Sequence, residues 1–266
     1  MAHDENFDAI RRLALTDPAL YGDAFADVYD AWYAGLNDAD FVAAVARRMN
    51  PQPQRVLELG VGTGRLARLL HHKRHPVIDS MTGIDASEQM LGKARDAGVS
   101  GFMTLLQGDF SVGLPDGEFD MVFVGYNTLF NLPTTESVAR CLGLVSHGLA
   151  RDGVFMIDAV IPRGTSVEEH SETRTMANGD VVHSASLHDP VARTVTGYFS
   201  HVVDGHHGAN DSAGTVRRWN VHYVLPDDLD ALASAAGLAL ESRWADGTGA
   251  RFEDDSSRHV STYVKR

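Results

Sequence analysis

Glycines and an acid near residue 60 are spaced in a way that favours ligand binding. Residues 55–67, RVLELGVGTGRLA, are typical of a short buried strand, a glycine turn and the start of a helix. Gly60, Gly62 and Gly64 permit positive φ and leave no Cβ in the way of a ligand. The backbone N–H groups of such a loop and of the helix that follows face one crevice. This stretch therefore predicts a binding loop.

The acid in this stretch restricts the ligand. Glu58 stands two residues before the first glycine, where a carboxylate repels a phosphate but orients a cationic or hydrogen-bond-donating ligand. Dinucleotide sites have the spacing GxGxxG, whereas this chain has GxGxG with Arg65 in the place of the third glycine. A nicotinamide-dependent oxidoreductase is therefore the less favoured alternative.

A second acid follows at a spacing that suits a ribose. Asp85 lies 21 residues after Gly64, at the carboxyl end of the second predicted strand and beside the glycine loop. One carboxylate accepts hydrogen bonds from two ribose hydroxyls and rejects a phosphorylated ribose. The alternative role for Asp85 is a helix N-cap, but Ser87 is available for that role.

Four segments, in order and spacing, resemble the motifs of class I S-adenosylmethionine-dependent methyltransferases. They are residues 55–67, residues 81–87 (MTGIDAS), residues 105–110 (LLQGDF) and residues 119–127 (FDMVFVGYN). The resemblance covers residues 20–160 closely and the rest of the chain in layout. It implies methyl transfer from S-adenosylmethionine to a nitrogen or oxygen of a small molecule, in a layout similar to sugar and natural-product N-methyltransferases.

The resemblance also implies which residues hold the cofactor. Asp85 is expected to bind the ribose, Asp109 the adenine amino group, and Phe110 the face of the base. Phe25, Val28, Tyr29 and Trp32 repeat at helical spacing, and a Tyr-rich segment of this kind contacts the methionine end of the cofactor in the family. The expected cofactor residues are Tyr21, Tyr29, Tyr33, Glu58, Gly60, Gly62, Gly64, Asp85, Ala86, Met90, Gly108, Asp109, Phe110 and Tyr126.

The acceptor is expected where the fourth strand ends. Asn127, Phe130 and Asn131 are the predicted substrate contacts. Similar sugar N-methyltransferases often carry a histidine near here, but this chain has Asn131, and an amide cannot take a proton. His201, His222 and Tyr223, on later strands, are the remaining candidates for a catalytic role, with a surface role as the alternative. Without a base in the favoured place, nitrogen is preferred over oxygen as acceptor.

The predicted fold is α/β, with a Rossmann-like, doubly wound seven-stranded sheet whose last strand is antiparallel. We expect an N-terminal helical cap at residues 1–50, a cofactor-binding domain at residues 51–162 and 225–266, and an inserted antiparallel β lid at residues 163–224. In the lid, alternating β-branched segments are separated by turns such as Asn178-Gly179, and residues 205–214 are expected to form a mobile loop.

The amino-acid composition disfavours some classes of binding partner. The 266 residues carry 36 acids against 23 Lys and Arg, a formal charge of −13, which disfavours nucleic acid and anionic membranes. The single cysteine, Cys141, excludes an intrachain disulfide and is expected in the core. Residues 1–6 do not resemble a signal peptide, so a cytoplasmic location is expected.

Two further predictions concern metals and assembly. Residues 71–75, HHKRH, are expected to form a solvated basic turn at a helix C-terminus, so no metal is expected. The lid is the predicted surface for a homodimer. The alternatives to methyl transfer are a same-fold enzyme that keeps the cofactor for another reaction, the nicotinamide enzyme, and a non-enzymatic binding protein.

Overall fold

The computed structural model describes residues 17–266 except 50, 51, 53, 75, 76, 176–180 and 203–214. Three of our predictions fall outside the described residues. These are the part of the N-terminal helical cap at residues 1–16, the Asn178-Gly179 turn and the loop at residues 205–214.

The main sheet has seven strands in the order β10-β11-β5-β4-β1-β2-β3. Its strands are β1 (Gln54–Leu59), β2 (Ile78–Asp85), β3 (Thr104–Gln107), β4 (Phe119–Val124), β5 (Leu149–Val160), β10 (Leu238–Trp244) and β11 (Arg258–Lys265). β1 pairs in parallel with both β2 and β4, whereas β11 runs antiparallel to β5 and β10. The chain leaves β1 toward one side and β4 toward the other, so a crevice opens at their carboxyl ends. The predicted sheet, with its last strand antiparallel, is confirmed.

Helices cover both faces of this sheet. They are α1 (Leu20–Phe25), α2 (Tyr29–Trp32), α3 (Asp38–Arg48), α4 (Arg65–Arg74), α5 (Glu88–Asp96), α6 (Thr135–Gly148) and α7 (Pro226–Ala235). Two apolar clusters fill the interior, one on each face, around Leu57 and Phe155 and around Phe41 and Met121. Cys141 is fully buried in the first cluster, which confirms its predicted place in the core.

A second, four-stranded antiparallel sheet is inserted between β5 and α7, which confirms the predicted insertion. It consists of β6 (Glu168–Thr175), β7 (Val181–Asp189), β8 (Thr194–Val202) and β9 (Thr215–His222). Phe199 and Trp219 of this sheet pack against Phe25 and Trp32 of α1 and α2. The inserted sheet therefore lies against the N-terminal helices, next to the carboxyl edge of the main sheet.

The N-terminal aromatic segment differs from the helical run that the spacing indicated. α1 ends at Phe25, and α2 begins only at Tyr29. Apolar spacing does not reveal the break, because the aromatic face continues across it. Similarly, the expected basic turn of residues 71–75 lies, as far as it is described, within the last turn of α4, where His71 stacks on Phe102 at 4.1 Å between ring centroids.

Candidate cofactor and acceptor site

The glycine loop places three glycines in three different environments. All have positive φ, of 65° at Gly60, 55° at Gly62 and 77° at Gly64. A Cβ on Gly60 would lie 2.1 Å from the Thr128 side chain, and one on Gly64 would lie 2.5 Å from Val99. A Cβ on Gly62 would meet nothing within 4 Å. Gly62 therefore borders open space, whereas Gly64 allows the loop to pack on its neighbour.

This contrast predicts different outcomes for two alanine substitutions. Gly64→Ala combines left-handed strain with a clash, so we expect it to lower the free energy of unfolding by about 2–4 kcal/mol. Gly62→Ala carries the strain alone, about 1 kcal/mol, but places a methyl group at the binding surface. Urea unfolding and ligand titration of both variants measure these effects. Equal stability losses in the two variants would contradict the assignment.

The crevice beside this loop contains about 560 Å³ of space, part of which is open to solvent. We call this crevice the first cavity. Ten predicted site residues line it, namely Tyr21, Tyr29, Gly60, Gly62, Asp85, Ala86, Met90, Asp109, Phe110 and Asn131. Pro18, Gly22, Thr128 and Leu132 complete the lining and were not predicted. A second space, also partly open to solvent, shares part of this wall and reaches Glu58, Arg65 and Tyr126.

Asp85 anchors the loop and faces the first cavity. Its Oδ2 accepts from the Gly62 N–H at 2.8 Å, and its Oδ1 accepts from the Ser87 N–H at 2.9 Å. Burial raises the pKa of Asp85, and these two hydrogen bonds oppose the rise. Ser87 is the N-cap of α5, where its Oγ accepts from the Met90 N–H at 3.1 Å. Asp85 is thus free of the capping role and keeps lone pairs for a ligand.

Asp109 and Phe110 form another wall of the first cavity. Asp109 Oδ1 accepts from the Ser111 N–H at 2.7 Å, which fixes the turn after β3. Phe110 is buried in the core and also lines the cavity. Met90 is buried against the N-terminal helices and lines the opposite side. This combination of two apolar side chains and a carboxylate would suit a flat apolar group with polar edges.

Glu58 is a buried carboxylate with one oxygen, Oε2, that lacks a hydrogen-bond partner among the described residues. Its side chain is 2% exposed, and among the described residues nothing hydrogen-bonds to its Oε2. Burial raises the pKa of Glu58 well above its usual value; Asp85 raises it further and Arg65 opposes the rise. An unpaired buried carboxylate is unfavourable. Glu58 can therefore accept a hydrogen bond from a ligand or pair with a cation that enters this space.

Arg65 faces the same space and was not among the predicted site residues. Its guanidinium contacts Asp38 at 3.1 Å and donates to the Tyr33 carbonyl at 3.0 Å. It lies over the rings of Tyr29 and Tyr126, at 5.6 and 5.1 Å from their centroids. Its Nε is buried without a partner in the described part of the chain. The signal in the sequence was an arginine directly after GxGxG.

Glu58 and Arg65 together offer opposite charges to one ligand. Each lines the second space and each carries a buried atom that lacks a hydrogen-bond partner within the described residues. A ligand that carries an ammonium and a carboxylate on one carbon would meet an opposite charge at each of these groups. The second space therefore suits the amino-acid end of a zwitterion.

Tyr126 closes the far side of this space. Its ring lies between two guanidinium groups, 5.1 Å from Arg65 and 4.9 Å from Arg258. Arg258 is held by both oxygens of the Asp158 carboxylate, which is fully buried. Neither Arg258 nor Asp158 was predicted, because no local pattern joins positions 100 residues apart.

Tyrosines of the N-terminal helices cover the first cavity. The Tyr21 and Tyr33 hydroxyls are 3.1 Å apart. Burial raises the pKa of Tyr21 above its usual value and that of Tyr29 to about 12. Both phenols are therefore neutral at physiological pH, and they act as hydrogen-bonding walls rather than as bases.

Five predicted contact residues do not line either cavity. Tyr33 bonds to Tyr21, Gly64 packs on Val99, and Gly108 donates its N–H to the Asp85 carbonyl. Asn127 has a φ of 63° and its Oδ1 accepts from the Val160 N–H at 2.7 Å, so it shapes the loop after β4. Phe130 is fully buried in the core. Loop residues that alternate polar and apolar types do not disclose which side chains turn inward.

The three catalytic candidates lie on or beside β8 and β9. The Tyr223 hydroxyl is 2.9 Å from His188 Nε2, and its ring is buried in the core. His222 is half-buried, which lowers its pKa. The side chain of His201 is outside the described part of the structure. Tyr223 and His222 line neither cavity, so a catalytic role for them stays a prediction without support from these contacts.

The fold and the site define a class of protein. A crevice at the point where strand order reverses, with a glycine loop, an acid at the end of β2 and an acid after β3, suits an adenosyl group. A family described as "Methyltransferase domain" matches residues 56–153.

Individual relatives agree with that match. The structure of the CcbJ methyltransferase from Streptomyces caelestis is 30% identical and has a TM-score of 0.80, over 94% of this chain and 99% of that chain. YqeM of Bacillus subtilis is 31% identical over 50% of this chain and 53% of its own length. The cypemycin N-terminal methyltransferase of Streptomyces is 26% identical over 56% of this chain and 59% of its own length. The matches therefore span between half and two thirds of these two curated relatives.

The chain belongs to the class I S-adenosylmethionine-dependent methyltransferases. S-adenosylmethionine is the cofactor of this family, and the residues present fit it. Asp85 suits a ribose, the space at Gly62 admits a ligand without a clash, and Glu58 with Arg65 matches a methionine zwitterion. The family and the cofactor expected from the four motifs are thereby confirmed.

Two other observations concern metals and membranes. Among the described residues, no group of three or more His, Cys, Asp or Glu side chains is placed to hold a metal ion. In the same part of the chain, no helix is long and apolar enough to cross a bilayer.

Proposed function

We propose that this chain transfers the methyl group of S-adenosylmethionine to a nitrogen atom of a small molecule. The observation that supports nitrogen is the lining of the two cavities, which has no histidine or lysine within the described residues. A neutral amine attacks without a strong base, whereas a hydroxyl usually needs one. The relative that modifies the N-terminus of cypemycin supports the same acceptor atom.

The residues of the chain act mainly by positioning. The bound cofactor supplies an electrophilic methyl group on a sulfonium. Asp85 would hold the ribose, Asp109 and Phe110 the adenine, and Glu58 with Arg65 the two charged ends of the methionine. Tyr21 and Tyr29 would exclude water above the sulfonium. Alignment of this kind supplies roughly 7–11 kcal/mol of a barrier.

Asn131 is our candidate for orienting the acceptor. It lies in the short helix Thr128–Asn131 and lines the first cavity. Its amide has both a donor and an acceptor, so it binds an amine by accepting from the N–H and leaves the nitrogen lone pair free. It does not remove a proton.

The proposal is tested in two stages. Calorimetry with S-adenosylmethionine, S-adenosylhomocysteine and NAD is expected to show binding of the first two only. Methyl transfer is then measured with a labelled methyl donor and a panel of small amines, phenols and carboxylic acids. We expect products from amines, at rates that rise with pH until the amine is deprotonated. Products from phenols alone would contradict the choice of nitrogen, and binding of NAD alone would contradict the proposed function.

The assembly and the domain partition remain proposals. The inserted sheet is our proposed homodimer surface, and sedimentation velocity of the purified chain tests it. The partition into a cap, a cofactor-binding domain and a lid is proposed with the boundaries given above.

A further inference from the structure

The segment that covers the first cavity is tied down through acidic side chains. We name residues 20–33, which include α1 and α2, the strap. Asp23 accepts from the Ser87 hydroxyl at 2.5 Å, and Asp30 accepts from the Thr63 hydroxyl at 2.7 Å. Both partners are neighbours of cavity residues, since Ser87 follows Ala86 and Thr63 follows Gly62. Two of the three acidic ties therefore join the strap to the cofactor-binding elements, and Arg65 adds a hydrogen bond to the Tyr33 carbonyl.

The third tie comes from the inserted sheet. Arg217 of β9 contacts the Asp27 carboxylate at 2.8 Å and donates a second hydrogen bond to the Ala24 carbonyl. Its guanidinium also lies 5.9 Å from the centroid of the Trp32 ring. The Arg217 side chain is 9% exposed, whereas that of Asp27 is 61% exposed. The arginine is thus the buried partner, and it joins both helices of the strap to the second sheet.

The strap depends on such contacts for its position. α1 has six residues and α2 has four, and helices this short are not stable by themselves in water. The Ala24 carbonyl is one of the terminal groups of α1 that no residue further along the helix can satisfy. Because Arg217 donates to this carbonyl and pairs with Asp27, it holds the strap between the end of α1 and the start of α2.

We propose that Arg217 is a positioning residue that couples the inserted sheet to the strap and thereby controls how long the cofactor stays bound. This inference rests on the proposed function, because it takes the first cavity as the cofactor site. Tyr21, Gly22 and Tyr29 of the strap line that cavity, while Arg217 does not. Because these residues form part of the cavity wall, a looser strap is expected to shorten the residence of a ligand held against them.

The test removes the guanidinium of Arg217 and keeps the aliphatic part of its side chain. Arg217→Met is compared with Arg218→Met, the same change at the next position of β9, where the side chain is exposed. S-adenosylhomocysteine is the probe. Its dissociation rate is followed by the fluorescence of the native tryptophans, its Kd by calorimetry, and the melting temperature of each free protein is recorded.

We expect Arg217→Met to raise the dissociation rate and the Kd about tenfold, as the loss of charged hydrogen bonds predicts. Arg218→Met is expected to behave as the wild type. Arg217→Lys, which keeps the charge, is expected to restore part of the residence time. In a double-mutant cycle with Asp27→Asn, the two changes are expected to be less than additive, because they remove the same contact.

The outcomes separate this inference from the proposed function. If the wild type does not bind S-adenosylhomocysteine, the proposed function fails and the coupling fails with it. If the wild type binds but Arg217→Met releases the ligand at the wild-type rate, the coupling alone is overturned. Lower thermal stability with unchanged dissociation also overturns it. If Arg217→Met does not fold, the dissociation rate of S-adenosylhomocysteine from Asp27→Asn tests the coupling instead. Asp27 tolerates substitution because its side chain is exposed.

Discussion

Asp85→Ala is expected to weaken S-adenosylmethionine binding by about 1–3 kcal/mol, because two ribose hydroxyls lose their acceptor. The substitution also frees the N–H groups of Gly62 and Ser87, which the carboxylate oxygens hold at 2.8 and 2.9 Å. The loop that forms the cavity wall then loses its anchor. Calorimetric titration of the variant with S-adenosylmethionine measures the change in affinity.

A control separates the two roles of Asp85. Asp79→Ala makes the same change in the same strand at an exposed position, and we expect it to leave the affinity unchanged. Asp85→Asn keeps one acceptor oxygen but turns an N–H₂ group toward a backbone donor, so an intermediate loss is expected. Wild-type affinity in Asp85→Ala would refute the ribose role.

Glu58→Gln is expected to change binding and stability in opposite directions. It removes the negative charge offered to the cofactor ammonium, so affinity is expected to fall about 10–100-fold, the range for hydrogen bonds to charged groups. In the free protein the same change removes a buried carboxylate with an unpartnered oxygen. We therefore expect the free variant to be more stable than the wild type at pH 8 by about 1 kcal/mol.

The pH dependence of that stability difference gives a sharper result. Burial raises the pKa of Glu58 in the folded protein above the ordinary 4.5. The stability that Glu58 contributes is therefore fully present below about pH 4.5 and is lost as pH rises through the folded pKa. Glutamine does not titrate, so the advantage of Glu58→Gln should be largest at pH 8 and shrink as pH falls toward 5. Thermal unfolding of both free proteins across this range measures the difference.

The charge of Arg65 reduces the expected gain in stability, and a matched variant controls for the substitution itself. Arg65 loses a nearby negative charge in Glu58→Gln, which offsets part of the gain in stability. Glu118→Gln makes the same chemical change at an exposed position and should alter neither affinity nor the pH profile. A stability difference between Glu58→Gln and the wild type that does not vary with pH would contradict a buried, ionisable Glu58.

The cofactor half of the site could be predicted because its signals are local. Glycines in the loop, Asp85 at the end of β2 and Ser87 at the start of α5 each act within a few residues of their position. Parallel strands bring their carboxyl ends to one edge, so the order of the motifs also placed Asp109 next to Asp85. The acceptor half was predicted less well. Asn127 and Phe130 follow β4 directly, yet one fixes the loop and the other fills the core.

The sequence by itself determined the family, the cofactor and the sheet on which the binding loop is built. Only the tertiary structure decided which distant groups complete the site. Arg65 meets Tyr126, which also stacks on Arg258, and Arg217 meets Asp27 across 190 positions of the chain. The reason is physical: periodicity and turn chemistry record interactions within one element, whereas these pairs depend on how separate elements pack. The buried oxygen of Glu58 likewise became evident only when the packing around β1 was known.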